Sequence, residues 1–154
     1  FLLFCDADVI AAPKMLETMM LMLTTHPEAS YAYSAFRWGR KRFPVCVFDA
    51  QRLRQENYIH TTSLIRRANF PGFDPAIKRF QDWDLWLTML EQGKRGIAIP
   101  EELFRILVVP GRKGYSHWVP AVIHRLPWNR LGWKPKLIRQ EEEAKKIIQQ
   151  KHRL

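Results

Sequence analysis

The chain opens on an unbroken apolar run, Phe1-Leu2-Leu3-Phe4-Cys5, that meets two carboxylates, Asp6 and Asp8, one alanine apart. A short continuous run of this kind predicts a buried strand of a parallel sheet whose C-terminal end opens into a crevice. Lys14 to Thr25 mixes apolar and polar positions, predicting a helix with Pro13 as its first residue and His26-Pro27 as its end. Ala29 to Phe36 sets Tyr31 and Tyr33 on one face and small residues on the other, the pattern of a strand. Phe43 to Tyr58 is weakly patterned and reads as strand fragments and turns. Thr61 to Ile65 reads as a strand, Arg66 to Asn69 as a turn, and Phe70 to Pro75 as a rigid loop rich in breakers. From Asp82 to Gln92, Leu85, Trp86 and Met89 recur at helical spacing, with Gly93 as the stop. Two short strands, Ile97 to Ile99 and Leu103 to Val109, and a last helix from about Lys136 to Lys151 complete an α/β pattern, a mixed sheet flanked by helices.

Composition changes this picture little. The 154 residues, 47% hydrophobic and 26% charged, fit one soluble domain with a real core. Phe1 stands inside an apolar run where a natural start would carry Met, so a truncated fragment is expected. No apolar run approaches the roughly 20 residues of a membrane span, the first residues lack a charged leader, and Cys5 and Cys46 give no disulfide framework. A cytoplasmic protein is the expectation.

The net charge of +10 is concentrated in Arg37-Trp38-Gly39-Arg40-Lys41-Arg42 and in the segment after His117, while residues 1–36 carry almost no Lys or Arg. That asymmetry argues against a nucleic-acid-binding domain and sets residues 117–154 apart from residues 1–116 as a basic extension. In the extension Trp118, Trp128 and Trp133 alternate with Pro120, Pro127, Pro135 and cations, a mixture suited to peripheral contact with an anionic membrane. Packing of the same rings on the protein's own surface is the competing reading.

Three stretches could carry chemistry. Asp6 and Asp8 at a strand end can share one hard divalent cation, Mg2+ or Mn2+, and leave it open positions for phosphate oxygens. Asp82 and Asp84 flank Trp83 at the start of a helix, where acids also serve as ordinary first-turn residues. Pro71-Gly72-Phe73-Asp74-Pro75 is by itself a plain turn.

Taken in order, these three resemble the inverting glycosyltransferases of family 2, with the nucleotide-diphospho-sugar transferase (GT-A) fold. Asp6-Ala7-Asp8 looks like the metal-binding Asp-x-Asp motif of that family. Gly72-Phe73-Asp74 looks like its acceptor-side Gly-Gly-Phe-Asp element, and Asp82-Trp83-Asp84-Leu85-Trp86 like the Glu-Asp-Trp-Asp-Leu-Trp helix that bears the base. Phe104-Arg105 looks like the Tyr-Arg that ends the next strand. The similarity covers residues 1 to about 116 and implies the C-terminal part of a catalytic domain, with the nucleoside-binding strands missing from its N-terminal side.

The resemblance implies a nucleotide-diphospho-sugar donor and a saccharide, lipid-linked or protein acceptor, as in cell-envelope polysaccharide synthesis. It gives Asp6 and Asp8 to the metal, Asp82 to the general base, Gly72, Phe73, Asp74, Trp83 and Asp84 to the acceptor, and Arg105 to the donor diphosphate. The chain departs from the pattern at Gln81, where the family has an acid, and at Pro71, where it has glycine. It departs again at Ile106 to Val109, where the family often has a metal-binding His; His117, His124 or phosphate alone would then complete the metal site. Two other readings stand beside this one. In a haloacid dehalogenase-like phosphatase Asp6 would be the nucleophile, although the expected Gly-Asp-x-x-x-Asp loop is absent from the sequence. In a non-catalytic basic module the acids would be structural and the partner a membrane or anionic polymer.

Overall fold

The computed structural model describes residues 1–108, Trp128 and residues 135–154. The chain divides into two compact units, one formed by Phe1–Val108 and a second that begins at Val109. The first unit is a mixed α/β domain. Its elements are β1 (Leu2–Leu3), β2 (Val9–Ala11), α1 (Met15–Thr25), β3 (Tyr31–Trp38), β4 (Lys41–Phe43), α2 (Ala50–Gln55), β5 (Leu64–Ile65), a 3-10 turn (Arg67–Asn69), α3 (Gln81–Glu91) and β6 (Gly96–Ile106).

One six-stranded sheet runs β1-β5-β3-β6-β2, with β4 paired to β3. Only β3 and β6 are parallel; the other pairs, β1–β5, β3–β5, β3–β4 and β2–β6, are antiparallel. The opening run is therefore not a doubly buried parallel strand. β1 is a two-residue, half-buried strand at one edge, antiparallel to β5. An apolar run reports that side chains need cover, but it carries no information about partner direction. Beyond the acidic turn the chain pairs again as β2, at the opposite edge of the same sheet.

Helices cover both faces. Met15, Met19 and Leu23 of α1 pack on Ala32, Leu64, Ile99, Phe104 and Ile106 of the sheet. On the other face Tyr31 stacks on Trp86 of α3 with ring centroids 4.6 Å apart. Pro13 stands ahead of α1 rather than inside it, since Lys14 is the N-cap. The two short strands expected between residues 97 and 109 form one strand, β6, whose pairing with β3 shifts register around Ala35, so the interruption is an irregularity and not a break.

The weakly patterned stretch contains a helix. Asp49 caps α2, its carboxylate accepting from the backbone N–H groups of Gln51 and Arg52 at 2.8 and 3.0 Å. The basic loop is the β3–β4 hairpin, and Gly39 takes the positive φ of 54° at its turn. Arg37 there is engaged by both oxygens of Glu102 at 2.9 and 3.1 Å.

In the second unit, α4 (Lys136–Lys151) is the last helix of the sequence reading. Among the described residues no helix is long and apolar enough to cross a membrane. The extension's Trp118, Trp133 and prolines 120 and 127 lie outside the described residues, as do His117 and His124.

Candidate functional site

Asp6 and Asp8 sit on a tight turn between β1 and β2, closed by a bond from the Val9 N–H to the Asp6 carbonyl at 3.0 Å. A second bond, from the Leu107 N–H to the Asp8 carbonyl at 2.8 Å, ties this turn to the residue that follows β6. Asp6 is exposed and Asp8 half-buried. Among the described residues no group of three His, Cys, Asp or Glu side chains could hold a metal ion. Two carboxylates on one turn still suit a hard cation that keeps water and substrate phosphate as its remaining ligands.

The Gly72-Phe73-Asp74 loop is held beside this turn by aromatic packing. Phe4, two residues before Asp6, contacts Phe70 and Phe73 at centroid distances of 5.2 and 4.9 Å. Gly72 has φ of 93°, a conformation that L side chains rarely adopt, and it is exposed. The Asp74 carboxylate accepts from the Ala76 N–H at 2.9 Å and so shapes the turn.

Asp82 lies in the first turn of α3. Phe80, the N-cap residue, takes a left-handed conformation with φ of 59°, which is uncommon for a bulky side chain. One Asp82 oxygen, Oδ1, accepts from the Trp83 N–H at 2.9 Å, and Oδ2 accepts from Asn57 Nδ2 at 2.8 Å. Desolvation nevertheless pushes this carboxyl above its ordinary range, against the opposing pull of Asn57 and His60.

His60 is the residue that sequence reasoning missed. Its ring packs on Phe36 and Phe104, with centroids 4.9 and 5.1 Å away. Nδ1 accepts from the Thr62 N–H at 3.0 Å, so the neutral imidazole carries its proton on Nε2. Burial pushes the imidazole down, while Asp82 first and Asp8 second pull the other way. His60 thus shares an electrostatic neighbourhood with both acids, which stand 74 positions apart in the chain. No spacing rule marks a single His, and its aromatic and acidic neighbours come together only in the fold.

Trp83 and Trp86 are buried, and each indole N–H donates to the segment before His60: Trp83 to the Leu53 carbonyl at 2.7 Å and Trp86 to the Ile59 carbonyl at 2.9 Å. Trp83, 1% exposed, offers no open face to a ligand; it anchors the segment that carries Asn57. Asp84 is likewise buried. Arg105 is exposed on β6 and borders an open groove with Ile10, Pro13 and Glu102. The structure thus brings Asp8, His60 and Asp82 into one electrostatic neighbourhood and sets the Gly72 loop beside the acidic turn, while Trp83 and Asp84 are buried side chains of α3.

No family model matches the chain, and no curated protein matches it in sequence.

Proposed function

We propose that the chain is the cation- and acceptor-binding part of a family 2 inverting glycosyltransferase with the GT-A fold. The observation that carries the reading is the Asp82 carboxyl: desolvated, gripped by one donor on each oxygen, and linked through His60 to the neighbourhood of Asp8. A carboxylate raised above its ordinary range is suited to take up a proton at neutral pH.

In this reading Asp82 accepts the proton of an acceptor hydroxyl as its oxygen attacks the anomeric carbon of a nucleotide-diphospho-sugar. The bond from that carbon to the diphosphate breaks, its electron pair leaves with the nucleoside diphosphate, and configuration inverts. Asp6 and Asp8 would hold Mg2+ or Mn2+, whose charge offsets that of the departing diphosphate. Arg105 adds a fixed positive charge on the donor side, and the Gly72-Phe73-Asp74 loop flanks the acceptor. Trp83 contributes as a support beneath Asp82 rather than as a stacking platform. Peripheral contact with a membrane through the basic extension belongs to the same reading and rests on sequence alone.

Release of nucleoside diphosphate from a panel of nucleotide-diphospho-sugars, followed in the full-length protein with Mn2+ or Mg2+, is the direct test. Asp82→Asn and Asp8→Ala are each expected to lower turnover by at least 100-fold, the scale of a lost general base or metal ligand. Full activity in both variants would refute the assignment. A cation-dependent phosphatase activity lost in Asp6→Asn and kept in Asp82→Asn would replace it with the phosphatase reading.

A further inference from the structure

Asn57 stands just beyond α2 in a stretch without sequence pattern, yet it is tied to the candidate base. We propose that Asn57 is a positioning residue for Asp82, fixing the plane of the carboxyl and leaving one lone pair on each oxygen for a substrate hydroxyl. This inference rests on the transferase reading for its catalytic meaning.

The geometry of the amide carries the argument. Nδ2 donates to Asp82 Oδ2 at 2.8 Å, while Asn57 Oδ1 is buried and has no hydrogen-bond partner among the described residues. A buried acceptor without a partner is unfavourable. Exchanging the amide ends would not help, because it would set Oδ1 against a carboxylate oxygen. The observed orientation therefore presents a donor to the carboxyl, a bond that is strengthened by charge once Asp82 ionises.

The neighbouring bonds hold Asn57 where this can happen. Leu53 is fixed by Trp83 and Ile59 by Trp86, so the segment between them has both ends pinned to α3, the helix that carries Asp82. Asp82 Oδ1 is meanwhile satisfied by the Trp83 N–H of the same helix. Donors from two directions define one orientation for the carboxyl, where either alone would leave it free to turn. His60 faces the same carboxyl from three residues further on, as a second ionisable group.

A tie of this kind could also be merely structural, so the test reads proton affinity rather than stability. In Asn57→Leu, which keeps bulk and removes the donor, the Asp82 carboxyl, followed by carbon-detected NMR, is expected to titrate about one to two pH units higher than in the parent. An unchanged midpoint in a folded Asn57→Leu chain would overturn the proposal. Should that variant fail to fold, the parent chain decides. Its Asn57 side-chain amide resonances are expected to shift with the Asp82 midpoint; flat resonances, or ones that follow His60 instead, would overturn the proposal equally. Neither readout uses turnover. A coupled Asn57–Asp82 pair in a protein without transfer activity would retire the transferase reading alone, and an active transferase with uncoupled residues would retire this inference alone.

Discussion

Desolvation drives Asp82 and His60 each toward the neutral form, the carboxyl by raising its proton affinity and the imidazole by lowering it. The consequences for stability have opposite signs. Folded Asp82 binds its proton more tightly than an unfolded aspartate of ordinary value 3.8, so its ionisation subtracts stability as pH rises from about 4 through the raised value. Folded His60 binds its proton less tightly than the ordinary 6.5, so stability falls as pH drops below about 6.5 toward the lowered value. Asp82→Asn removes the first contribution; its amide oxygen can accept the Trp83 N–H while its NH2 donates to an Asn57 amide turned end for end. The variant is expected to melt above the parent at pH 7, with the gap closing as pH approaches 4, as thermal denaturation across that range would reveal. An inactive variant that is more stable than the parent is the signature of a group kept for chemistry at the fold's expense. At this scale the sequence made the acids legible, because carboxylates at a strand end and a helix start have recognisable addresses. It hid Asn57 and His60, whose roles depend on tertiary neighbours and on no local period.

Among the elements, the parallel pair β3–β6 is the axis of the domain, and Gly96 lies opposite Tyr31 at one end of it. A Cβ on Gly96 would lie 2.3 Å from the Tyr31 ring, which is itself stacked on Trp86. The ring cannot retreat without disturbing the α3 contact that supports the candidate base. Gly96→Ala is therefore expected to cost about 1–3 kcal/mol, the scale of an overpacked core, and to weaken the near-ultraviolet circular dichroism of the aromatic stack. Helices α1 and α3 were readable because apolar side chains recur on one face and Gly93, with φ of 73°, closes the second. α2 escapes the pattern although Asp49 is a strong cap, because a six-residue helix with one buried side chain, Leu53, leaves no period to detect. The apolar run overstates the length of β1 and gives it the wrong direction, since strand pairing is decided by partners that a local pattern does not name.

At the scale of the whole unit, the sheet's register fixes its shape. Leu3 lies level with Ala32 of β3 through β5, and Val9 lies level with Trp38 of β3 through β6. On a flat sheet these two points would be separated by four strand spacings sideways and six residues lengthwise, a diagonal of about 28 Å. The six residue steps from Leu3 to Val9 reach about 22 Å at most when fully extended, and the turn at Asp6 shortens that reach. The segment is a strap across the mouth of the sheet, and it forces the two edges to roll toward each other. Its length is therefore compatible only with a rolled sheet, to which the register shifts in β3–β6 also contribute. Two glycines inserted between Phe4 and Cys5 are expected to change global stability by under about 1 kcal/mol, because longer loops cost little entropy. The same insertion should raise amide hydrogen exchange at β1 and β2 and leave β3 and β6 protected. Asp6 and Asp8 ride on that strap, so the direction in which they face follows from where the two edges lie. A sheet free to flatten would carry the same carboxylates and lose their aim.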